Sequence, residues 1–191
     1  QFIALFRLLI EGLKDEALGF LARPLKRGSL TLIARSALGS ADLKTALRHV
    51  CHAFYLLQDD LELEVLHEGA LAGLSVRLTD AAWRPRFLHE FMVRVTWRLA
   101  AWLAGGSLKV ARFDFAFDQP TYAADYVATF PAPLRFGQPA SAFWFDARRL
   151  TRSVSRDEPA LRTFVDSWPA SVIVPTRSTE GIVARVHAHL M

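Results

Sequence analysis

The first part of the chain has apolar residues at helical spacing. Positions i, i+4, i+7, i+11 and i+14 of one predicted helix are Leu43, Leu47, Val50, Phe54 and Leu57. Ser40 is a good N-cap residue, so we expect this helix to begin just after it. Shorter helical segments are predicted over residues 2–13, 15–21 and 30–37. The N-terminal part is therefore predicted to be helical.

The period changes from 3.6 to 2 at Leu61. Apolar Leu61, Leu63 and Val65 alternate with Glu62 and Glu64, and a second alternating segment covers residues 74–78. A turn at residues 67–69 separates the two segments. The pattern predicts an antiparallel hairpin with one solvent-exposed face, on which Arg77 pairs with Glu62 or Glu64.

A long helix is predicted over residues 86–104, ended by Gly105 and Gly106. Most of its surface is apolar, so we expect it to lie across a sheet. Its polar positions form a single stripe, at i, i+4 steps: Arg86, Glu90, Arg94 and Arg98. This spacing favours ion pairs along the surface of the helix.

The remaining pattern completes an α+β fold. A strand is predicted over residues 109–117, a short helix from Pro120, and strands over 134–137 and 142–145. From residue 61 the order is ββαβαββ, which predicts N-terminal helices packed with a mixed, largely antiparallel sheet. C-terminal linker helices follow over residues 158–168 and 179–190, and we expect their apolar sides to be exposed and to form a dimer contact.

Composition indicates one globular domain. Hydrophobic residues make up 52% of the 191 residues and charged residues 22%. The net charge is +4, but the basic residues are scattered, so we do not expect this segment to contact DNA directly. The single cysteine, Cys51, excludes an internal disulfide and fits a reducing compartment. No apolar run reaches the roughly 18 residues that span a bilayer.

Enzymatic motifs are missing. The chain has no Gly-x-Ser-x-Gly elbow, His-Glu-x-x-His motif, P-loop or Gly-rich dinucleotide fingerprint. His49 and His52 lie at i, i+3, but no third ligand is suitably spaced, so no metal site is expected. We therefore predict no catalytic residues and no cofactor. The alternative is a small-molecule enzyme of the α+β class that uses Asp114, His52 or Tyr55 in a pocket.

Aromatic residues are abundant, with 14 Phe and 5 Trp. Rings from different predicted elements converge on the sheet, and they form either one solid core or the wall of an apolar cavity. The candidate ligand-binding residues for such a cavity are Arg48, His52, Tyr55, Trp83, Phe91 and Arg112. Arg48, His52, Tyr55 or Arg112 would supply its polar anchor. A solid core would instead indicate a pure oligomerisation domain.

The linear pattern resembles one known family. Residues 26–30 (KRGSL) and 40–47 (SADLKTAL) are similar to a stretch of the arabinose-binding N-terminal domain of AraC-type regulators. A more specific similarity lies in Val110-Ala111-Arg112-Phe113, Pro120, Tyr126, Phe130, Pro133-Leu134-Arg135-Phe136-Gly137, Phe143-Trp144-Phe145-Asp146 and Leu150. Two departures are Asp42, where the family usually has Thr, and Pro131-Ala132, where it has a Gly-containing turn.

The resemblance implies a bacterial, cytoplasmic transcription regulator that forms a homodimer and binds a small metabolite. On this basis residues 1–150 are expected to be the effector-binding domain, and residues 151–191 the linker with the dimerisation helices. A DNA-binding helix-turn-helix domain is expected after residue 191, and DNA is bound only through it. The metabolite is not fixed by the pattern, and both apolar and acidic compounds fit it. No membrane partner is expected.

Overall fold

The computed structural model describes residues 2–79 and 85–173. The α-helices in these ranges are α1 Phe2–Leu13, α2 Ser29–Ser36, α3 Leu43–Leu57, α4 Arg86–Leu103, α5 Glu158–Asp166 and α6 Ala170–Ile173. The strands are β1 Leu61–Glu68, β2 Leu71–Leu78, β3 Val110–Asp114, β4 Leu134–Arg135 and β5 Ser141–Asp146. Short 3-10 helices cover Ala123–Ala128 and Ala147–Thr151. The predicted helix at residues 179–190 lies outside the described residues.

The described strands form one mixed sheet in the order β1-β2-β5-β3-β4, with β1 at an edge. The β1/β2, β2/β5 and β3/β5 pairs are antiparallel, and β3 and β4 are parallel. The predicted ββαβαββ order and the α+β class are confirmed, with the 3-10 helix Ala123–Ala128 as the second helical element. Arg77 Nε lies 3.2 Å from Glu62 Oε2 across the hairpin, as the alternation predicted.

The N-terminus of α3 differs from the prediction. Asp42 is the N-cap residue, and its Oδ1 accepts a hydrogen bond of 2.8 Å from the backbone N–H of Thr45. Ser40 instead places its Oγ 3.2 Å from His49 Nδ1. The assignment of Ser40 as the cap was wrong because a cap must directly precede the first helical residue, which is Leu43.

Helix α4 lies across the sheet, as predicted. The ring of Trp97 packs edge to face on Phe113 of β3, with centroids 5.2 Å apart. The prediction of ion pairs along the surface of α4 is wrong, however. Arg94 is buried and donates a hydrogen bond to the carbonyl of Thr129. The carboxylate of Glu90 accepts a hydrogen bond from the hydroxyl of Tyr126. The segment around the first 3-10 helix covers this side of α4, and burial lowers the pKa of Arg94 to about 10.

Helix α5 packs on the rest of the chain. Its apolar residues Leu161 and Phe164 are buried, and the ring of Phe164 stacks on Trp102 of α4 with centroids 4.8 Å apart. Glu158 at its start accepts a 2.6 Å hydrogen bond from Arg35 of α2. The expectation that α5 exposes an apolar stripe for dimerisation was wrong, because α2 and α4 already cover that side.

No helix within residues 2–79 and 85–173 has the length and apolar character that crossing a bilayer requires.

Candidate functional site

A small cavity lies among α2, α3, α4 and the segment between α5 and α6. Its volume is about 20 Å³, which is room for roughly one water molecule. The lining residues are Glu16, Leu25, Leu30, Ile33, Phe54, Phe91, Met92, Val95 and Trp168. Eight of these nine side chains are apolar or aromatic, so the carboxyl group of Glu16 is the ionisable feature of the wall.

Glu16 is held by the backbone at the start of α2. Its Oε1 and Oε2 accept hydrogen bonds of 2.8 Å from the N–H groups of Gly28 and Leu30, respectively. Burial raises the pKa of Glu16, and the two backbone hydrogen bonds act in the opposite direction. Each carboxylate oxygen has a second lone pair, so Glu16 keeps capacity for a further donor.

Trp168 forms the wall contributed by the segment after α5. Its ring lies against Phe91, with centroids 6.4 Å apart. Phe91 in turn contacts Phe87 at 5.8 Å and Phe6 of α1 at 5.6 Å. The indole Nε1 of Trp168 is buried and has no hydrogen-bond partner within the described part of the chain. A series of aromatic contacts thus links Trp168, in the segment after α5, to α4 and α1.

Three of the predicted ligand-binding residues lie on the solvent face of α3. Arg48, His52 and Tyr55 are exposed, and Tyr55 has 70% of its surface accessible. The opposite face of α3 carries Val50 and Phe54 into the core. Arg48, His52 and Tyr55 do not line the cavity.

Phe91 and Arg112 are placed differently from each other. Phe91 lines the cavity, whereas Arg112 lies on the face of β3 opposite to its neighbour Phe113, which packs on Trp97 of α4. Trp83 lies outside the described residues. The structure therefore does not bring the five described residues together, and ligand contact by all six stays a prediction.

Arg112 belongs to a paired cluster on that outer face. Its Nε is 3.2 Å from Asp114 Oδ1, and its Nη1 donates to Glu68 Oε1 at 3.1 Å. Its guanidinium carbon lies 4.4 Å from the ring centroid of Trp144, whose Nε1 donates to Asp114 Oδ2 at 2.6 Å. Arg112 and Asp114 are two positions apart on β3 and so share one face of the strand. With both carboxylates bound, Arg112 acts as a bridge between β1, β3 and β5.

Asp114 therefore does not meet His52 or Tyr55. The carboxylate is buried under Trp144 on the outer face of the sheet, whereas α3 packs on the inner face. Groups that exchange protons with one substrate must reach it within hydrogen-bond distance, and these three share no pocket. Residues 2–79 and 85–173 also contain no cluster of three metal-ligating side chains.

Glu16 and Trp168 were missed in the sequence. Asp15 and Glu16 read as a polar turn between apolar residues, yet both are buried and accept backbone hydrogen bonds. Their partners lie as far as Leu25 and Leu30, so no local pattern reveals them. Trp168 ends a predicted helix, and only the fold shows that it faces Phe91.

The class to which this chain belongs is a domain of transcription regulators. The chain matches the family model "Arabinose-binding domain of AraC transcription regulator, N-term" over residues 1–154. It belongs to that family, as the resemblance of its motifs implied.

Two proteins of Pseudomonas aeruginosa are similar to the chain. The ornithine utilization regulator is 24% identical over 179 residues, which cover 93% of this chain and 53% of the relative. The chain thus spans about half the length of this curated relative. The crystal structure of the transcriptional regulator CdpR aligns with a TM-score of 0.49 and 16% identity, over 72% of this chain and 44% of that chain.

Proposed function

We propose that this domain binds a small metabolite and thereby controls an attached DNA-binding domain, without catalysing a reaction. The family match over residues 1–154 is the observation that carries the proposal. The proposal also includes the domain limits, with residues 1–150 as the effector-binding domain and residues 151–191 as the linker. It further includes a cytoplasmic location and a helix-turn-helix domain that follows the linker.

The cavity beside Phe91 is the proposed core of the effector site. Its 20 Å³ is far below the roughly 300–1,000 Å³ of typical small-molecule pockets, so a metabolite enters only if a wall moves. Trp168 is the wall on the linker side, and it is only partly buried. A ligand that occupies the space beside Phe91 competes with the indole ring of Trp168.

This competition couples the site to the linker. A ligand shifts a conformational equilibrium only by its difference in affinity for the two states. Binding beside Phe91 favours a state in which the segment from α5 to α6 has moved, and that segment leads toward the proposed DNA-binding domain. By linkage, DNA binding then alters the affinity for the metabolite by the same factor.

Ornithine is the first metabolite to test, since one relative is named as the regulator of its utilisation. Its ammonium group suits the spare acceptor capacity of Glu16. The experiment is a thermal-shift and calorimetric screen of ornithine, other amino acids, fatty acids, aromatic acids and arabinose. Phe91→Ala is expected to weaken binding of the ligand that emerges, and the Arg48→Ala and Tyr55→Ala variants to leave it unchanged.

These variants distinguish two candidate locations of the effector, the cavity beside Phe91 and the exposed face of α3. Loss of binding in the Arg48 or Tyr55 variant, with Phe91→Ala unaffected, would place the effector on the exposed face of α3. Absence of binding by every compound to the full-length regulator would remove the proposal.

A homodimer is the second part of the proposal. Because α5 buries its apolar side, the dimer contact is assigned to residues 179–190, whose predicted apolar stripe is Ile182, Val183, Val186 and Leu190. Light scattering of the chain ending at residue 150 is expected to give a monomer, and of the 191-residue chain a dimer. A dimer in both would refute this assignment.

A further inference from the structure

Two adjoining surface clefts lie along the segment that joins β5 to α5. Each has a volume of about 510 Å³, and they share Thr151 and Arg152. The first is completed by Asp146, Arg148 and Arg149, and the second by Ala104, Gly105, Ser153 and Ser155. This volume lies within the range of small-molecule pockets. The clefts are separate from the cavity beside Phe91.

The charges that line the clefts are mostly positive. Arg148 is neutralised by Asp146, since its Nε lies 3.0 Å from both carboxylate oxygens. Arg149 and Arg152 have no carboxylate within 4.0 Å in the part of the chain that the structure describes. Hydroxyl groups of Thr151, Ser153 and Ser155 stand beside them. Two guanidinium groups are thus available to an anion.

The backbone holds this segment in place. The carbonyl of Arg152 accepts a 2.9 Å hydrogen bond from the N–H of Leu43, at the first turn of α3. The N–H of Arg152 donates to the carbonyl of Arg149 at 3.2 Å. Four residues further on, Arg156 Nε donates to the carbonyl of Trp102 at 2.6 Å. The clefts are therefore built on a fixed loop, which lowers the entropic cost of binding.

We propose that these clefts bind a small anion with two or more carboxylate or phosphate groups, held by Arg149 and Arg152. A guanidinium group offers paired N–H donors that match the two oxygens of a carboxylate or phosphate. The hydroxyl of Ser153 adds a donor, whereas Thr151 Oγ1 already donates to the carbonyl of Arg148 at 3.1 Å. A concave pair of clefts suits a compact anion, whereas a DNA backbone is contacted along an extended basic track.

The test is isothermal titration of the 191-residue chain with citrate and with pyrophosphate, at low ionic strength. Both anions are expected to bind, and the Arg149→Gln, Arg152→Gln double variant is expected to weaken each by at least about tenfold. The comparison of citrate with pyrophosphate shows whether carboxylate or phosphate is preferred.

The matched control is the Arg7→Gln, Arg135→Gln double variant. It removes the same charge from two exposed arginines outside the clefts, and it is expected to keep the affinity within about twofold. An equal loss in both double variants would mean general attraction to a basic protein and would overturn the proposal. So would the absence of binding by the unmodified chain.

Two further readouts keep the result decisive. Citrate is expected to shift the backbone amide resonances of Gly105, Ser153 and Ser155 in the unmodified chain, so the proposal is testable even if the variant is unstable. A DNA duplex that displaces citrate, and whose own binding is lost in the Arg149, Arg152 variant, would assign the clefts to nucleic acid and overturn the proposal. The result does not depend on the metabolite site beside Phe91.

Discussion

Gly73 of β2 lies directly beneath the indole ring of Trp144 on β5. A Cβ atom at this position would lie 2.8 Å from Trp144 Cε3 and 3.2 Å from the carbonyl oxygen of Phe143. The ring therefore occupies the space that any other side chain would need. In this position the indole ring lies beneath the guanidinium group of Arg112, and its Nε1 donates a hydrogen bond to Asp114.

Gly73→Ala is expected to destabilise the protein by about 1–3 kcal/mol, because the indole ring or the β2 backbone must shift. The matched control is Gly12→Ala in α1, where an added Cβ meets no atom within 4 Å. That change is expected to stabilise the protein by about 0.5–1 kcal/mol. Urea denaturation measures both. Equal effects of the two substitutions would contradict the close contact at Gly73.

Trp168→Ala is expected to lower the free energy of unfolding by about 2 kcal/mol, less than the 3–5 kcal/mol typical of fully buried tryptophan, because the ring is partly exposed. The substitution enlarges the cavity beside Phe91. Added indole is therefore expected to raise the melting temperature of this variant more than that of the unmodified protein.

Trp168→Phe serves as the control for this experiment, since it keeps a ring against Phe91 and leaves less space. Its response to indole is expected to be intermediate. If indole raises the melting temperature of all three proteins equally, the Trp168 side chain does not close the cavity.

Cys51 is expected to react slowly in the folded protein. Burial raises the pKa of its thiol to about 12, so only about one molecule in ten thousand is thiolate at pH 8. Alkylation by iodoacetamide at pH 8 should be at least about a hundredfold slower in the native protein than in concentrated urea. Because the chain has a single cysteine, intact mass spectrometry follows this reaction directly. Equal rates would show that the thiol is accessible and ionised.

Asp146 is expected to make stability depend on acidic pH. Hydrogen bonds from the Arg148 side chain and backbone N–H lower its pKa from 3.8 to about 2. A carboxyl group whose folded pKa is lowered stabilises the protein above its unfolded pKa, and that contribution is lost as pH falls through the folded value. The stability difference between the unmodified protein and Asp146→Asn should therefore be constant above about pH 5 and shrink as the pH falls toward 2.

Arg148→Gln tests the cause of this dependence. It is expected to reduce the same pH-dependent difference, and combining it with Asp146→Asn should add less than the sum of the two single effects. Strict additivity would mean that the two side chains do not interact. Denaturation in urea at several pH values supplies the data.

The order of helices and strands along the chain and the position of α4 were predictable because they follow from periodicity. The placement of β5 between β2 and β3 was not, since it depends on the tertiary arrangement. Strict alternation in β1 gives one solvent-exposed face, and a helix that is apolar on most sides must be covered. In β2 the predicted exposed face is wrong from Ala72 to Val76, where every residue is buried. The N-cap of α3 was not predictable from residue type alone, since Ser40 and Asp42 are both good caps and the first helical residue decides between them.

The candidate site was harder to predict than the fold. Tyr55 was included because of its aromatic ring, but it follows the buried Phe54 by one position, and this rotation of about 100° places it in solvent. Glu16 is buried because backbone groups more than ten residues away satisfy its oxygens. The contact between Phe91 and Trp168 joins residues far apart in sequence. Such contacts depend on the tertiary arrangement, which hydrophobic patterning does not encode.

The edge position of β1 has a consequence for how two copies can associate. Glu62, Glu64 and Glu68 are all exposed along this strand, and only short stretches of apolar surface separate them. Two such edges aligned side by side would force charged side chains of both copies together, which disfavours a sheet continued from one molecule into the next. The charged edge of β1 thereby protects the hairpin against fibre-like stacking of one copy on another.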